Sequence, residues 1–354
     1  MGTFHPSRLL ITGGAGFIGS NLTRRVLAAG AIDAVVVLDA LTYAGHLESL
    51  AEVSGDPRLT FIHGDICDRP LVERILREHA IDAVFHLAAE SHVDRSIEAA
   101  EAFVRTNVTG TFTLLEAVRA GGQRFVHVST DEVYGSRTDG AFTESSPYAP
   151  SSPYAASKAA SDLLARSYFV THGVPLIITN GCNTYGPYQL PEKLVPLMIA
   201  NAIDDTPLLV YGEGAQRREW LHVDDHCAAL WAAMTRGASG ESYNLGSGEE
   251  LPNLALVEQL ADVVDAELRR PSGTTRALIS FVPDRKGHDF RYALDSSRAR
   301  SALGWQPAET LATQLAQTVR WYIANAAWRA AMRGQTLPPQ TTTTRPKLPM
   351  QLMK

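Results

Sequence analysis

Three stretches of the chain carry residue types that could do chemistry together. They are Thr130, Asp131 and Glu132 in "VSTDEVYG", Tyr154 and Lys158 in "SPYAASKAASDLL", and Gly13, Gly16 and Gly19 in "LLITGGAGFIGSNL". Tyr154 and Lys158 stand at i and i+4, one turn apart on one face of a helix. A free tyrosine, with a pKa of about 10, is a poor base at neutral pH, and an adjacent ammonium favours the phenolate. The Lys158 cation, together with a positively charged oxidised nicotinamide, would bring Tyr154 toward working range. A Thr130 hydroxyl at the end of a neighbouring strand would complete a site that holds and deprotonates a substrate alcohol. The adjacent carboxylates Asp131 and Glu132 raise a further question, because hydride transfer alone has no use for them.

The glycines fall between a strand and a helix, which gives the spacing its meaning. The first permits a tight turn, the second lets a pyrophosphate approach the amides, and the third lets helix and strand pack closely. Phe17 and Ile18 complete this helix start. About twenty residues on, "VVVLDA" ends in Asp39, whose carboxylate suits a ribose 2′-hydroxyl and would repel a 2′-phosphate. The expected cofactor is therefore NAD. Asp65 and Ile66 in "GDICD" would flank the adenine, and Leu87, Ala88 and Ala89 in "HLAAESH" would lie near the pyrophosphate.

The elements that must position these groups are legible as an alternation. "RLLIT", "VVVLD", "LTFIHGD", "AVFHLAA", "RFVHVST" and "PLIITN" read as short apolar strands separated by helix-length segments such as "FIGSNLTRRVLAAG" and "RPLVERILREHA". The expected fold class is α/β: a Rossmann-type doubly wound parallel sheet with a smaller α/β substrate-binding lobe. The expected division is an NAD-binding domain over residues 1–190, to which later strands return, and a smaller second lobe over 191–334. A flexible Thr- and Pro-rich tail over 335–354 follows. The carboxylates Asp131 and Glu132 then end a strand on the side where such sheets bind ligands.

Composition removes several alternatives. With 354 residues, 45% hydrophobic, and a net charge of −6, the chain can build a full core and offers no basic stripe for nucleic acid. Three cysteines, Cys67, Cys182 and Cys227, without C-x-x-C spacing, suggest neither a disulfide framework nor a zinc site and fit a cytoplasmic protein. No signal peptide or membrane span is expected. His46, His63, His86, His92 and His127 lack metal spacing and read as core or surface histidines.

"GGAGFIG", "STDEVYG" and "YAASK", in that order, resemble the extended short-chain dehydrogenase/reductase family. More narrowly, "HLAAESHVDRSI", "TNVTGT", "YGPYQLPEKLVPL", "VYGEGAQRREWLHVDDHCAAL" and "FVPDRKGHDFRYALD" resemble the dTDP-glucose 4,6-dehydratases, over residues 8 to about 300. The resemblance implies a hydro-lyase that borrows NAD. Tyr154 would take the proton of the glucose 4-hydroxyl as C4 is oxidised, Glu132 would remove the C5 proton, and Asp131 would protonate the leaving 6-hydroxyl. Hydride then returns to C6. It also implies nucleotide-sugar contacts from Ser91, Asn183, Glu192, Lys193, Leu194, Tyr211, Arg218, Asn253, Arg285 and His288, and a homodimer built on the helix around residues 98–120 and the Tyr154 helix. Thr184, Gly181 and Phe290 depart from the family pattern near the phosphates and base. A UDP-sugar dehydratase and a nucleotide-sugar 4-epimerase are the alternatives, and an epimerase has no use for Asp131 and Glu132.

Overall fold

A computed structural model describes residues 3–284 and 289–333. Arg285, His288 and the tail 335–354 lie outside the described residues. Strands β1 (Arg8–Thr12), β2 (Ala34–Asp39), β3 (Leu59–His63), β4 (Ala83–His86), β5 (Arg124–Thr130) and β6 (Leu176–Gly181) follow the expected apolar runs. The later strands are β7 (Asn183–Tyr185), β8 (Leu208–Tyr211), β9 (Arg217–His222), β10 (Ser242–Leu245), β11 (Glu250–Pro252) and β12 (Ile279–Val282). The main sheet has seven strands in the order β3-β2-β1-β4-β5-β6-β10, all parallel.

Because side chains alternate across a strand, each apolar run feeds two cores. Leu9, Ile11, Val35, Val37 and Phe85 face the helices Phe17–Ala28 and Val223–Arg236. Leu10, Val36, Val84 and Phe125 face Arg69–Glu78, Thr111–Gly121 and Pro153–His172. This double burial explains why the strands read as continuous hydrophobic runs. A second lobe carries the sheet β11-β9-β7 and the pair β12-β8. Its core joins Tyr185, Ile199, Leu256, Leu315 and Tyr322 from the helices Leu194–Ile203, Asn253–Glu267 and Leu311–Ala324 and from β7.

Strand order reverses between β1 and β4, so a crevice opens at their carboxyl ends. The segment expected as one helix around residues 98–120 is broken into Val93–Glu98, Glu101–Phe103, a π-helical stretch Val104–Gly110 and Thr111–Gly121. Among the described residues, no helix is long and apolar enough to cross a membrane.

Candidate active site

The crevice is a cavity of about 460 Å³, and every residue expected at the cofactor lines it: Gly13, Gly16, Phe17, Ile18, Gly19, Asp39, Asp65, Ile66, Leu87, Ala88, Ala89, Tyr154 and Lys158. Gly13 has φ +69°, and a Cβ there would lie 2.6 Å from the Ala88 amide nitrogen. A Cβ on Gly19 would overlap the Gly13 carbonyl, so β1, the helix and β4 meet without side chains between them. The helix Phe17–Ala28 starts at Gly16 with no side-chain cap, which leaves its first amides facing the cavity for an anion. Asp39 accepts from the amides of Ala15 at 2.9 Å and Leu41 at 2.8 Å. Burial raises its pKa. A bare glycine turn, open amides and an acid at the second strand are the groups a dinucleotide needs.

The wall made by Leu87–Ala89 is set by buried side chains. Thr111 donates to the Asn107 carbonyl at 2.6 Å, so its hydroxyl accepts from His86 Nε2 at 2.9 Å, and His86 Nδ1 accepts from Thr12 at 2.8 Å. Burial, first of all, holds His86 well below its ordinary basicity. Asn107 bonds both the amide and carbonyl of Glu90, at 2.8 and 3.0 Å, and the Ser157 hydroxyl at 2.8 Å. It thereby ties the exit of β4 to the Tyr154 helix.

That helix is placed by its own sequence. Ser152 caps it by accepting from the Ala155 amide at 3.1 Å, Pro153 occupies the first turn, and Gly173 ends it in the left-handed conformation. Lys158 is buried and its Nζ donates to the Val128 carbonyl at 2.8 Å. Burial lowers its pKa to about 8. Tyr154 is held well above its ordinary pKa by burial and then by Glu132, with a hydrogen bond to Thr130 pulling the other way. Lys158 is expected to lower Tyr154 together with an oxidised nicotinamide, so the protein's own groups are one half of that expectation.

Thr130 ends β5 and caps the turn Asp131–Tyr134, its hydroxyl accepting from the Glu132 amide at 3.3 Å and donating to Asp131 Oδ1 at 3.2 Å. Asp131 is only 3% exposed, and its Oδ2 has no hydrogen-bond partner among the described residues. Burial, then Glu132 and Glu219, push its pKa well above the ordinary carboxyl value, against the pull of Arg218. A carboxyl in this setting carries a proton to give.

Of the expected sugar-nucleotide contacts, Ser91, Glu192 and Lys193 line the cavity. Lys193 donates to the Ser91 carbonyl at 3.3 Å, and the Ser91 hydroxyl meets Tyr43 at 3.2 Å. Asn183, Leu194, Tyr211, Arg218 and Asn253 are not among the lining residues. Tyr211 is half exposed on β8, Asn183 pairs with Trp220 between β7 and β9, and Leu194 packs on the second core. Arg218 is buried, donating to the carbonyls of Arg217, Phe290 and Asp289 at 2.8, 3.2 and 2.7 Å and lying over the Tyr292 ring. Asn253 starts a helix with its Oδ1 buried and without a hydrogen-bond partner among the described residues. Sequence reasoning missed Tyr43 and Arg105, which also line the cavity. Arg95 lies 4.0 Å over the Tyr43 ring, and Arg105 bonds Asp65 at 2.7 Å. The tyrosine in "LDALTYAGH" was the available signal; nothing local marked Arg105.

The sequence model of the family described as GDP-mannose 4,6 dehydratase matches residues 10–318. The dTDP-glucose 4,6-dehydratase of Neisseria meningitidis is 52% identical over 337 residues, which cover 91% of this chain and 94% of that one. Escherichia coli dTDP-glucose 4,6-dehydratase 1 is 48% identical over 91% of this chain and 94% of its own length. The crystal structure of DesIV, a dTDP-glucose 4,6-dehydratase from Streptomyces venezuelae solved with NAD bound, is 50% identical and superposes with a TM-score of 0.86, covering 92% of this chain and 99% of that one. The chain belongs to the dTDP-glucose 4,6-dehydratases of the extended short-chain dehydrogenase/reductase family.

Proposed function

We propose that the protein is an NAD-dependent dTDP-glucose 4,6-dehydratase, converting dTDP-glucose to dTDP-4-keto-6-deoxyglucose and water. One observation carries this reading beyond oxidation and reduction: a buried carboxyl held toward its protonated form, Asp131, stands directly beside a second carboxyl, Glu132. NAD, which the residues from Gly13 to Gly19 and Asp39 would hold in this cavity, would supply the hydride acceptor for C4, a positive charge and the hydride that returns to C6. Tyr154 takes the proton of the 4-hydroxyl, with Thr130 nearby and the Lys158 ammonium one turn away. The resulting 4-ketone acidifies the C5 proton, which Glu132 removes. Asp131 gives its proton to the 6-hydroxyl, which leaves as water, and a proton is restored to C5 as C6 is reduced. One carboxyl cannot be base and acid at once, and like charges side by side in a buried site disfavour double ionisation. The adjacency of Asp131 and Glu132 thus answers the question it posed.

Residues 1–190 hold the dinucleotide and 191–334 mainly the sugar nucleotide in this reading, with Ser91, Glu192 and Lys193 nearest the sugar. Leu194 belongs with Glu192 and Lys193 to a loop over the sugar and phosphates, and Asn183, Tyr211, Arg218, Asn253, Arg285 and His288 serve the diphosphate and base. The protein works as a cytoplasmic homodimer; three free cysteines favour the reducing compartment, and exposed Val104, Phe112, Leu163 and Val170 on neighbouring helices favour pairing.

The test is incubation of the purified protein, as isolated and with added NAD, with dTDP-glucose and UDP-glucose in parallel, reading products by mass. Loss of one water without NADH accumulation, faster on dTDP-glucose, is expected. An unchanged mass with a 4-epimer would overturn the assignment. Glu132→Gln is expected to retain oxidation at C4 and fail at elimination, and Tyr154→Phe to lose both.

A further inference from the structure

Asp162 follows Lys158 by one turn on the helix Pro153–His172 and is 1% exposed. Its Oδ2 accepts from the hydroxyls of Ser129 at 2.7 Å and Tyr148 at 3.0 Å and from Nδ2 of Asn180 at 3.3 Å. Its Oδ1 faces Nε2 of His127 at 3.0 Å. The same Nε2 meets Ser161 Oγ at 3.1 Å, and that hydroxyl already donates to the Lys158 carbonyl at 2.8 Å, so the imidazole proton sits on Nε2 and points at both. Two strands and a loop therefore aim donors at one carboxylate, an arrangement that suits an acceptor with no proton of its own.

These partners border the reacting groups. The Lys158 ammonium bonds the carbonyl of Val128, the residue before Ser129, and Thr130 comes next. Asn180 Nδ2, besides reaching Asp162, donates to the Thr130 carbonyl at 3.3 Å. We propose that Asp162 is a positioning residue: the buried counter-charge that keeps the Lys158 ammonium charged, and the peg that holds the end of β5, with Thr130, Asp131 and Glu132, against the Tyr154 helix. The inference rests on the role given to Lys158 above.

The other titratable groups around the pair are His86 on β4, His127 on β5, Tyr134 in the turn after β5, Tyr148 in the following loop and Tyr154 on the same helix. Burial lowers both imidazoles and raises the three phenols, so none of them offers Lys158 a charge at neutral pH. Burial pulls Lys158 down to about 8, and Asp162 is the group that opposes it. Without that carboxylate the ammonium would keep the Val128 carbonyl as its partner and no opposing charge from the groups named above.

The experiment is competitive acylation of the whole protein across pH, without cofactor, with the Lys158 peptide read by mass. It is run for wild type, Asp162→Asn and Tyr148→Phe. The wild-type midpoint is expected near 8. In Asp162→Asn it should fall by about one to three pH units, as expected for loss of an opposite charge within a turn. Tyr148→Phe removes one donor and keeps the charge, so its midpoint should stay. In the turnover assay, the rate of C4 oxidation in Asp162→Asn should begin to fall at correspondingly lower pH. If Asp162→Asn does not fold, Asp162→Ser, which leaves room for water, takes its place. A folded variant with an unmoved Lys158 midpoint overturns the proposal, and so does an equal shift in Tyr148→Phe. Wild-type protein that fails to release water from dTDP-glucose would instead remove the functional reading, which the acylation does not depend on.

Discussion

Asp131 and Asp162 are the same residue type sealed from water to nearly the same degree, and their surroundings give them opposite characters. Asp162 is met by two hydroxyls, an amide and an imidazole N–H. Asp131 has one hydroxyl, an oxygen without a hydrogen-bond partner among the described residues, and two carboxyl neighbours in Glu132 and Glu219. Burial alone disfavours any charge; donors reverse that preference and like charges deepen it. One aspartate is suited to anchoring a cation and the other to giving up a proton.

The contrast can be broken most forcefully at Asp131. Asp131→Asn removes the proton for the leaving hydroxyl, and the water-releasing rate should fall by about 10²–10⁴-fold, measured by product mass over time. Stability should move the other way. The folded chain keeps a proton on Asp131 that the unfolded chain loses above about pH 4, so this group costs stability as pH rises from there toward its raised folded value. The variant should therefore melt above wild type at pH 7, with the difference closing below about pH 4. Equal melting temperatures at pH 7 would mean that Asp131 is ionised and paired.

Asp162→Asn should do the reverse, losing about 3 kcal/mol in urea unfolding at pH 7, because donors arranged for a carboxylate then face an amide. A gain in stability would erase the contrast. A smaller effect is expected from Glu219→Gln. Glu219 is a buried carboxyl that accepts from the amides of Gly248 and Leu294 and adds to the negative field on Asp131. Relieving that field lowers the Asp131 pKa, so the water-releasing step should fail at a pH lower by up to about one unit. The smallest change is Tyr148→Phe, about 1 kcal/mol in the same unfolding experiment, since three donors to Asp162 remain.

How legible each region was follows from how local its logic is. The dinucleotide crevice is written in adjacent residues: Gly13 to Gly19 shape one turn, and Asp39 stands at the end of the next strand, so spacing alone placed them on one cavity. The sheet was equally plain, because burial on both faces leaves unbroken apolar runs. The Asp162 cluster gathers residues 127, 129, 148, 161 and 180, which no motif spacing connects. Arg218 was singled out by its place in a family motif, and in the structure its guanidinium also donates to three backbone carbonyls. Which carbonyls meet an arginine is decided by tertiary packing, and a sequence lists only the charge.

The strand order has a practical consequence for anyone cutting the gene. The chain leaves the large sheet after β6, runs through β7, β8 and β9 of the other lobe, and only then supplies β10 to pair with β6. From β10, Asn244 accepts from the Tyr134 hydroxyl at 2.9 Å and donates to the Phe142 carbonyl, bracing the turn that carries Asp131 and Glu132. A fragment stopped at residue 190 would lack that brace and present the unpaired backbone of β6 as an open edge, which invites self-association. A unit that keeps this brace and closes that edge therefore has to run past residue 245.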